Sequence, residues 1–320
     1  MSYNDEIRKA IERSKNKLSI DTAKKLRSVY VQAAKELTAK FKKLPATDFN
    51  KAIMQAYIRN ISTYIGKMNA TIKDINTTQY KNAARLNKDI FSEVLQQHVD
   101  SKIPQEVLDK MYGIPENAIR GLIEGNLYKD KLSLDTRIWR IGKKYNDDIQ
   151  SILAQGIIQK KPFDEIVNDL SKYLNPDAKK EYDWGTVYPN TNKKVDFNAQ
   201  RLARTGINHA FHIGTIASAN RDPYAQAIHW ELSAQHEIRQ VIPFGPDECD
   251  DFAKQDGYNL GKGNFPINET PVPHPLCLCT QTIVYTKSLE EVGKEINAWI
   301  KGAPNDALDA MMAADMANGF

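Results

Sequence analysis

Apolar residues recur every three or four positions over much of the first hundred residues. Leu26, Tyr30, Ala33, Leu37 and Phe41 form one helical stripe. Ser19 offers an N-cap and Pro45 an end, which predicts a helix from there to about Lys43. Thr47 and Asp48 can cap the next helix. From Phe49 to Val99 the only glycine or proline is Gly66. Ile53, Tyr57, Ile61, Tyr64, Met68, Ile72 and Ile75 keep the helical period, and Tyr80, Ala83, Leu86, Ile90 and Val94 resume it. Unbroken, such a helix measures roughly 75 Å at 1.5 Å per residue. The polar run Asn76-Thr77-Thr78-Gln79 predicts a break instead. Either form is an elongated arm with a narrow seam; an ordinary bundle is the competing reading.

Shorter helices follow. Pro104, Gly113 and Pro115 punctuate the chain. Ser133 starts a helix carrying Ile138, Trp139, Tyr145, Ile149, Ile152 and Ile157. Pro162 opens another with Phe163, Ile166, Val167, Leu170 and Leu174 on one face. Residues 176–196 read as a surface loop. A helix over about Phe197 to Asn220 carries Arg201, Arg204 and Thr205, with His209 and His212 three residues apart. No thiol or carboxylate stands at matching spacing there, so the two histidines read as a partly buried helix face. From Ala227 the pattern changes. AIHWEL and QTIVYT (281–286) read as strands around forty loop-rich residues. Ser288 caps a last helix, and a small, acidic tail follows, either frayed or a short helix that docks on a partner.

The fold class is therefore mainly α: elongated N-terminal helices plus a small α+β C-terminal domain. The expected divisions are 1–103, a basic helical arm; 104–222, a helical domain; 223–286, a β-containing module; and 287–320, the last helix and tail. No run of 18 apolar residues exists and the N-terminus lacks an apolar signal core, so no membrane partner is expected. Residues 1–100 carry 19 Lys+Arg against 10 Asp+Glu, whereas the whole chain nets only +4. A basic N-terminal third can meet nucleic acid or an acidic protein. The lysines alternate with acids, however, and almost no aromatic–arginine interleaving appears, so a solvated helix face is the favoured reading.

All three cysteines, Cys249, Cys277 and Cys279, fall within 31 residues. Three thiols cannot all pair, which favours free or metal-bound sulfur. The thiols of Cys277 and Cys279, at i and i+2 on an extended segment, lie on the same side. Pro271-Val272-Pro273-His274-Pro275 is a stiff approach that fixes His274 three residues before Cys277. A structural zinc takes four N/S ligands in a tetrahedron. Three thiolates and one imidazole meet that, with His236 and His274 competing for the fourth place. Ordinary semi-buried cysteines are the competing reading. A deaminase-like catalytic zinc needs His-x-Glu and Cys-x-x-Cys, whereas here His236 and Glu237 are adjacent and the thiols are CxC. Ser233 lies in no GxSxG turn, and no phosphate-binding or dinucleotide fingerprint appears.

Trp230-Glu-Leu-Ser233-x-x-His236, Asp247-x-Cys249-Asp250, Asp256-Gly257 and Pro273-His274-Pro275-x-Cys277-x-Cys279 together resemble the C-terminal domain of phage minor head proteins, also called head morphogenesis proteins. Arg201-Leu-Ala-Arg204-Thr205 resembles the segment before that domain. The resemblance covers about Ser133 to Tyr285. Many family members carry a second cysteine where Phe252 stands here. Such members keep the His of HPxCxC as well, which implies that His236 fills the vacancy and that His274 hydrogen-bonds nearby. The resemblance implies a non-enzymatic virion component inside the capsid, assembled in the host cytoplasm. Its expected partners are the portal and the major capsid or scaffold protein, with oligomers around the portal and double-stranded DNA as further candidates. A DNA-binding protein using the basic third is the alternative, and a zinc hydrolase or nuclease ranks last.

Overall fold

The computed structural model describes residues 3–43, 51–159, 161–177 and 195–314. The chain is mainly helical. The helices α1 (Tyr3–Lys42), α2 (Lys51–Gln97), α3 (Gln105–Tyr112), α4 (Glu116–Glu124), α5 (Leu134–Ile158), α6 (Phe163–Leu174) and α7 (Phe197–Arg221) precede strand β1 (Ala225–Glu231). A π-helical turn (Glu237–Val241), a single turn α8 (Ile242–Phe244), α9 (Glu248–Lys254), β2 (Asn264–Phe265), β3 (Thr280–Tyr285), α10 (Leu289–Ile300) and α11 (Asp306–Ala313) complete the order. Among the described residues no helix is long and apolar enough to cross a membrane. The expected caps at Thr47 and Asp48, the stop at Pro45 and residues 178–194 of the expected loop lie outside the described residues.

Two expectations about the long helices are corrected. Helix α1 starts at Tyr3, and Ser19 lies inside it rather than capping it. Its buried stripe runs Ile7, Ile11, Lys15, Thr22, Leu26 and Tyr30. Two polar residues, Lys15 and Thr22, fill core-facing positions, so hydrophobicity alone reads the start of the helix too late. Likewise α2 runs 47 residues without a break at Asn76–Gln79, about 70 Å at 1.5 Å per residue. Asn76 and Gln79 are buried, and the Asn76 side chain donates back to the Ile72 carbonyl (2.8 Å). A polar residue that satisfies itself on its own helix does not end it.

The helix starts follow ordinary capping. Ser133 Oγ accepts from Thr136 N (3.2 Å) at the start of α5. Ser288 and Glu291 cap each other's backbone at the start of α10, and Asn305 caps α11 through Leu308 N (3.1 Å). The tail helix α11 buries Leu308 and Met311, and Lys110 of α3 donates to Ala314 O just after it (2.7 Å).

The chain forms two compact units, each gathered from separate stretches. The all-helical unit comprises residues 20–78 and 132–203. Its core stacks Tyr30 edge-on to Tyr145 (5.6 Å) and Tyr145 on Tyr173 (6.0 Å). The Tyr173 hydroxyl donates to Asp148 (2.9 Å), so the buried phenol is satisfied.

The second unit comprises residues 1–19, 79–131 and 204–320. Its sheet has the order β2-β1-β3, antiparallel throughout. Ile228 pairs with both Phe265 and Ile283, and Glu231 stands opposite Thr280. That last pair sets the end of β1 beside the start of β3, so residues 232–236 and 277–279 emerge together. In the same unit α2 and α7 pack closely through glycine. A Cβ on Gly206 would enter the buried ring of Tyr80, and one on Gly214 would lie 2.9 Å from Asn87 Oδ1. Asn87 donates to the Thr215 hydroxyl (3.1 Å). This contact sets the position of α7, the helix that carries Thr205, Asn208 and His209. Gly206→Ala is expected to lower stability by about 1–3 kcal/mol through overpacking, even though alanine is favoured over glycine in helices by roughly 1 kcal/mol. Chemical denaturation of the purified chain measures it.

Candidate metal centre

The three thiols converge. Cys249, Cys277 and Cys279 are all buried and none is in a disulfide. Cys249 Sγ lies 3.6 Å from Cys277 Sγ. Cys279 Sγ lies 3.8 Å from Nδ1 of His236. The amide of Cys279 donates to Cys277 Sγ (3.3 Å), a bond that suits a thiolate. With Trp230 and Phe265 the thiols form one small core. Phe252 packs against it, edge-on to Trp230 at 5.1 Å and to Phe265 at 6.0 Å. At this position the chain spends an aromatic ring on packing, where the resemblance would put a fourth sulfur.

Local sequence explains each placement. Asp247 and Asp250 form a capping box at the start of α9, and Asp247 accepts from Cys249 N (2.9 Å). Cys249 is thereby fixed in the first helical turn. The same two carboxylates hold the two histidines. Asp250 accepts from His236 Nε2 (3.0 Å), and Asp247 meets His274 Nε2 (3.1 Å). With Nε2 donating to Asp250, the other ring nitrogen, Nδ1, faces Cys279. His274 is half-buried, and its Nδ1 faces the Pro275 carbonyl at 3.0 Å. Both its ring nitrogens therefore stand against oxygen acceptors.

The HPxCxC backbone is held from outside. Thr205 Oγ1 accepts from Leu276 N (3.3 Å), and Asn208 donates to the Cys277 carbonyl (3.1 Å). His209 Nε2 donates to the Pro273 carbonyl (2.7 Å), with its Nδ1 on the Tyr128 hydroxyl (3.0 Å). Lys15, from α1, donates to the Cys279 carbonyl (3.0 Å). Leu276 itself has φ +67°, a left-handed conformation that side chains resist. So the expected extended approach turns sharply at Leu276, closed by Cys277 N to the His274 carbonyl (3.1 Å). His209 and His212, read from sequence as a helix face, are both buried on it.

Electrostatics sort the thiols. Hydrogen bonds from Cys249 and Cys277 hold Cys279 well below the usual thiol range. Cys249 is pushed up by its bonds to the other two sulfurs and by burial. In Cys277 the bond to Cys249 pulls down, but the bond to Cys279 and burial push it up overall. Burial lowers His236, but the Asp250 bond and the neighbouring negative charges outweigh it and raise it overall. Burial brings Lys15 down to about 8, against the pull of Cys277, Cys279 and Glu12. His212 is lowered to about 3, chiefly by burial, and is neutral.

No protein-family model, curated protein or solved structure matches this chain. The donor set must therefore be judged on its own geometry. Donor atoms of Cys249, His274 and Cys277 lie within 4.8 Å of one another, and so do those of His236, Asp247 and Asp250. The cysteine–histidine cluster can hold a metal ion. The acidic group doubles as the support of the two imidazoles and is explained by that role. Around the centre, Ser233 Oγ accepts from Gln235 N (3.2 Å), a local turn bond, and Glu237 is exposed. Ile238, Ile242 and Phe244 project into solvent from the π-helical turn and α8.

Sequence reasoning singled out Thr205, Asp247 and Asp250 as motif residues without giving them this supporting role, and it missed Lys15 and Asn208. The two aspartates carried a signal, since Asp-x-Cys-Asp is also a helix-capping pattern. Lys15 carried none beyond its place on a helical stripe. Asn208→Ala is expected to cost about 1–3 kcal/mol, because the buried Cys277 carbonyl loses its donor; urea denaturation measures it.

Proposed function

We propose that this chain is a structural, non-enzymatic protein whose thiol module is closed by one zinc ion, and that it serves as a minor head protein of a tailed phage. The observation that carries the zinc reading is the spacing within two donor pairs, Cys249–Cys277 and Cys279–His236. A tetrahedral zinc with bonds of about 2.3 Å to sulfur and 2.0 Å to nitrogen sets S···S edges near 3.8 Å and S···N edges near 3.6 Å. The Cys249–Cys277 and Cys279–His236 separations, 3.6 and 3.8 Å, fall within about 0.2 Å of these. Cys249, Cys277, Cys279 and Nδ1 of His236 are the ligands in this reading. His274 stays on Asp247, since both of its nitrogens face oxygen. Asp250 orients His236, as carboxylates do for metal-bound imidazoles. The ion supplies a cross-link among residues 236, 249, 277 and 279. Four protein ligands leave no open position for a reacting water.

The head role rests on the motif resemblance and agrees with such a closed site. It places the chain inside the capsid, in contact with the portal and with capsid or scaffold protein. A tagged chain should cofractionate with procapsids on density gradients of lysate from phage-producing cells. Its absence from those fractions would remove this reading. Metal content tests the site separately. Mass spectrometry should find one zinc per chain, lost in Cys277→Ser and His236→Ala and retained in His274→Ala. Zinc-free protein with three freely titrating thiols would overturn it.

A second reading, phosphate binding by the basic third, is favoured by Lys17, Lys24, Lys25 and Lys35, all exposed on α1. Its signature is sequence-independent DNA affinity that falls linearly in log–log with salt. Lys24→Glu with Lys25→Glu should weaken that binding and flatten the salt slope by roughly two charges' worth. An unchanged slope would exclude those lysines.

A further inference from the structure

Residues Arg8, Glu12 and Lys15 stand at i, i+4 and i+7 on α1, one face of one helix. All three reach the thiol module. Arg8 Nε pairs with Glu231 at the end of β1 (2.8 Å). Glu12 accepts from Ala234 N (3.3 Å), two residues before His236. Lys15 donates to the Cys279 carbonyl (3.0 Å), with Phe211 beneath its ammonium (5.7 Å to the ring centre). Among the described residues Lys15 is the only buried lysine or arginine.

A buried cation is costly unless something negative faces it. A backbone carbonyl is a weak partner for one. Three thiolates and a neutral imidazole around a dication carry one net negative charge, also buried. The two costs cancel only together.

We propose that Lys15 is the counter-charge of the metal centre, a positioning residue that fixes the Cys279 backbone and neutralises the tris-thiolate ion. Metal binding and the seating of residues 3–19 on the module then strengthen one another. This rests on the zinc reading above. Arg8 and Glu12 set the register of the helix on the module, so that the ammonium arrives beside Cys279.

The test is zinc affinity by competition with a chromophoric chelator, together with hydrogen exchange of residues 3–19 with and without zinc. Lys15→Met keeps the length of the side chain and removes its charge. It is expected to weaken zinc binding by roughly 10–100-fold, the range for partners surrounding a metal site. In the wild type, removing zinc should speed exchange in residues 3–19. In Lys15→Met that zinc effect should shrink by the same factor as the affinity, as linkage requires. A lysine that only packs would change exchange equally with and without zinc. Affinity within twofold of wild type overturns the proposal while leaving the zinc site standing. If Lys15→Met does not fold, the wild-type exchange decides: residues 3–19 unaffected by zinc also overturn it. A wild type that binds no zinc sinks the zinc reading first, and this proposal with it.

Discussion

The seven residues from Pro273 to Cys279 have almost no secondary structure of their own, and the rest of the thiol module depends on how they are held. Their carbonyls at 273, 277 and 279 are taken by His209, Asn208 and Lys15, and the amide of 276 goes to Thr205. Each bond on its own is worth only about 0.5–1.5 kcal/mol net. Leaving any of these buried groups unpaired costs more than that. The consequence is a segment with one allowed course, despite a left-handed leucine in its middle. The two sulfurs of CxC point where they do because helices on both sides leave the backbone no alternative.

The sheet supplies the other half of the geometry. Pairing Glu231 with Thr280 brings the residues after β1 next to those before β3. A shift of one residue would turn Trp230 from the core to the opposite face, since the side-chain period of a strand is two. Trp230, Phe252 and Phe265 lock the register by packing on the thiols. The DxCD turn then does double duty: its carboxylates cap α9 and grip the imidazoles. One short sequence sets the angle of a sulfur and the tautomer of a histidine at once.

Much of this was legible in the sequence and some was not, for definite reasons. The mainly helical class, the strands around Trp230 and Ile283, and the caps at Ser133 and Ser288 followed from period and capping chemistry, which are local. The clustering of Cys249, Cys277 and Cys279 stood out because cysteine is scarce here. The start of α1 and the continuity of α2 were misread at Lys15, Thr22, Asn76 and Gln79. Those are polar residues on buried faces, and hydrophobic patterning is blind to them. The support of the metal loop from Lys15 and Asn208 was invisible because it depends on which distant stretches meet, and spacing along a chain carries no such information.

The bond between Lys15 and the Cys279 carbonyl joins residues 264 positions apart. A ribosome adding roughly 5–20 residues per second separates their appearance by on the order of tens of seconds. Helices form in about a microsecond. During synthesis, therefore, the first helix has ample time to form before the groups that bury its Lys15 exist. For that interval Ile7, Ile11 and the lysine, all buried in the finished protein, lack the partners that bury them. The burial of the first helix therefore waits on the carboxyl-terminal third of the chain.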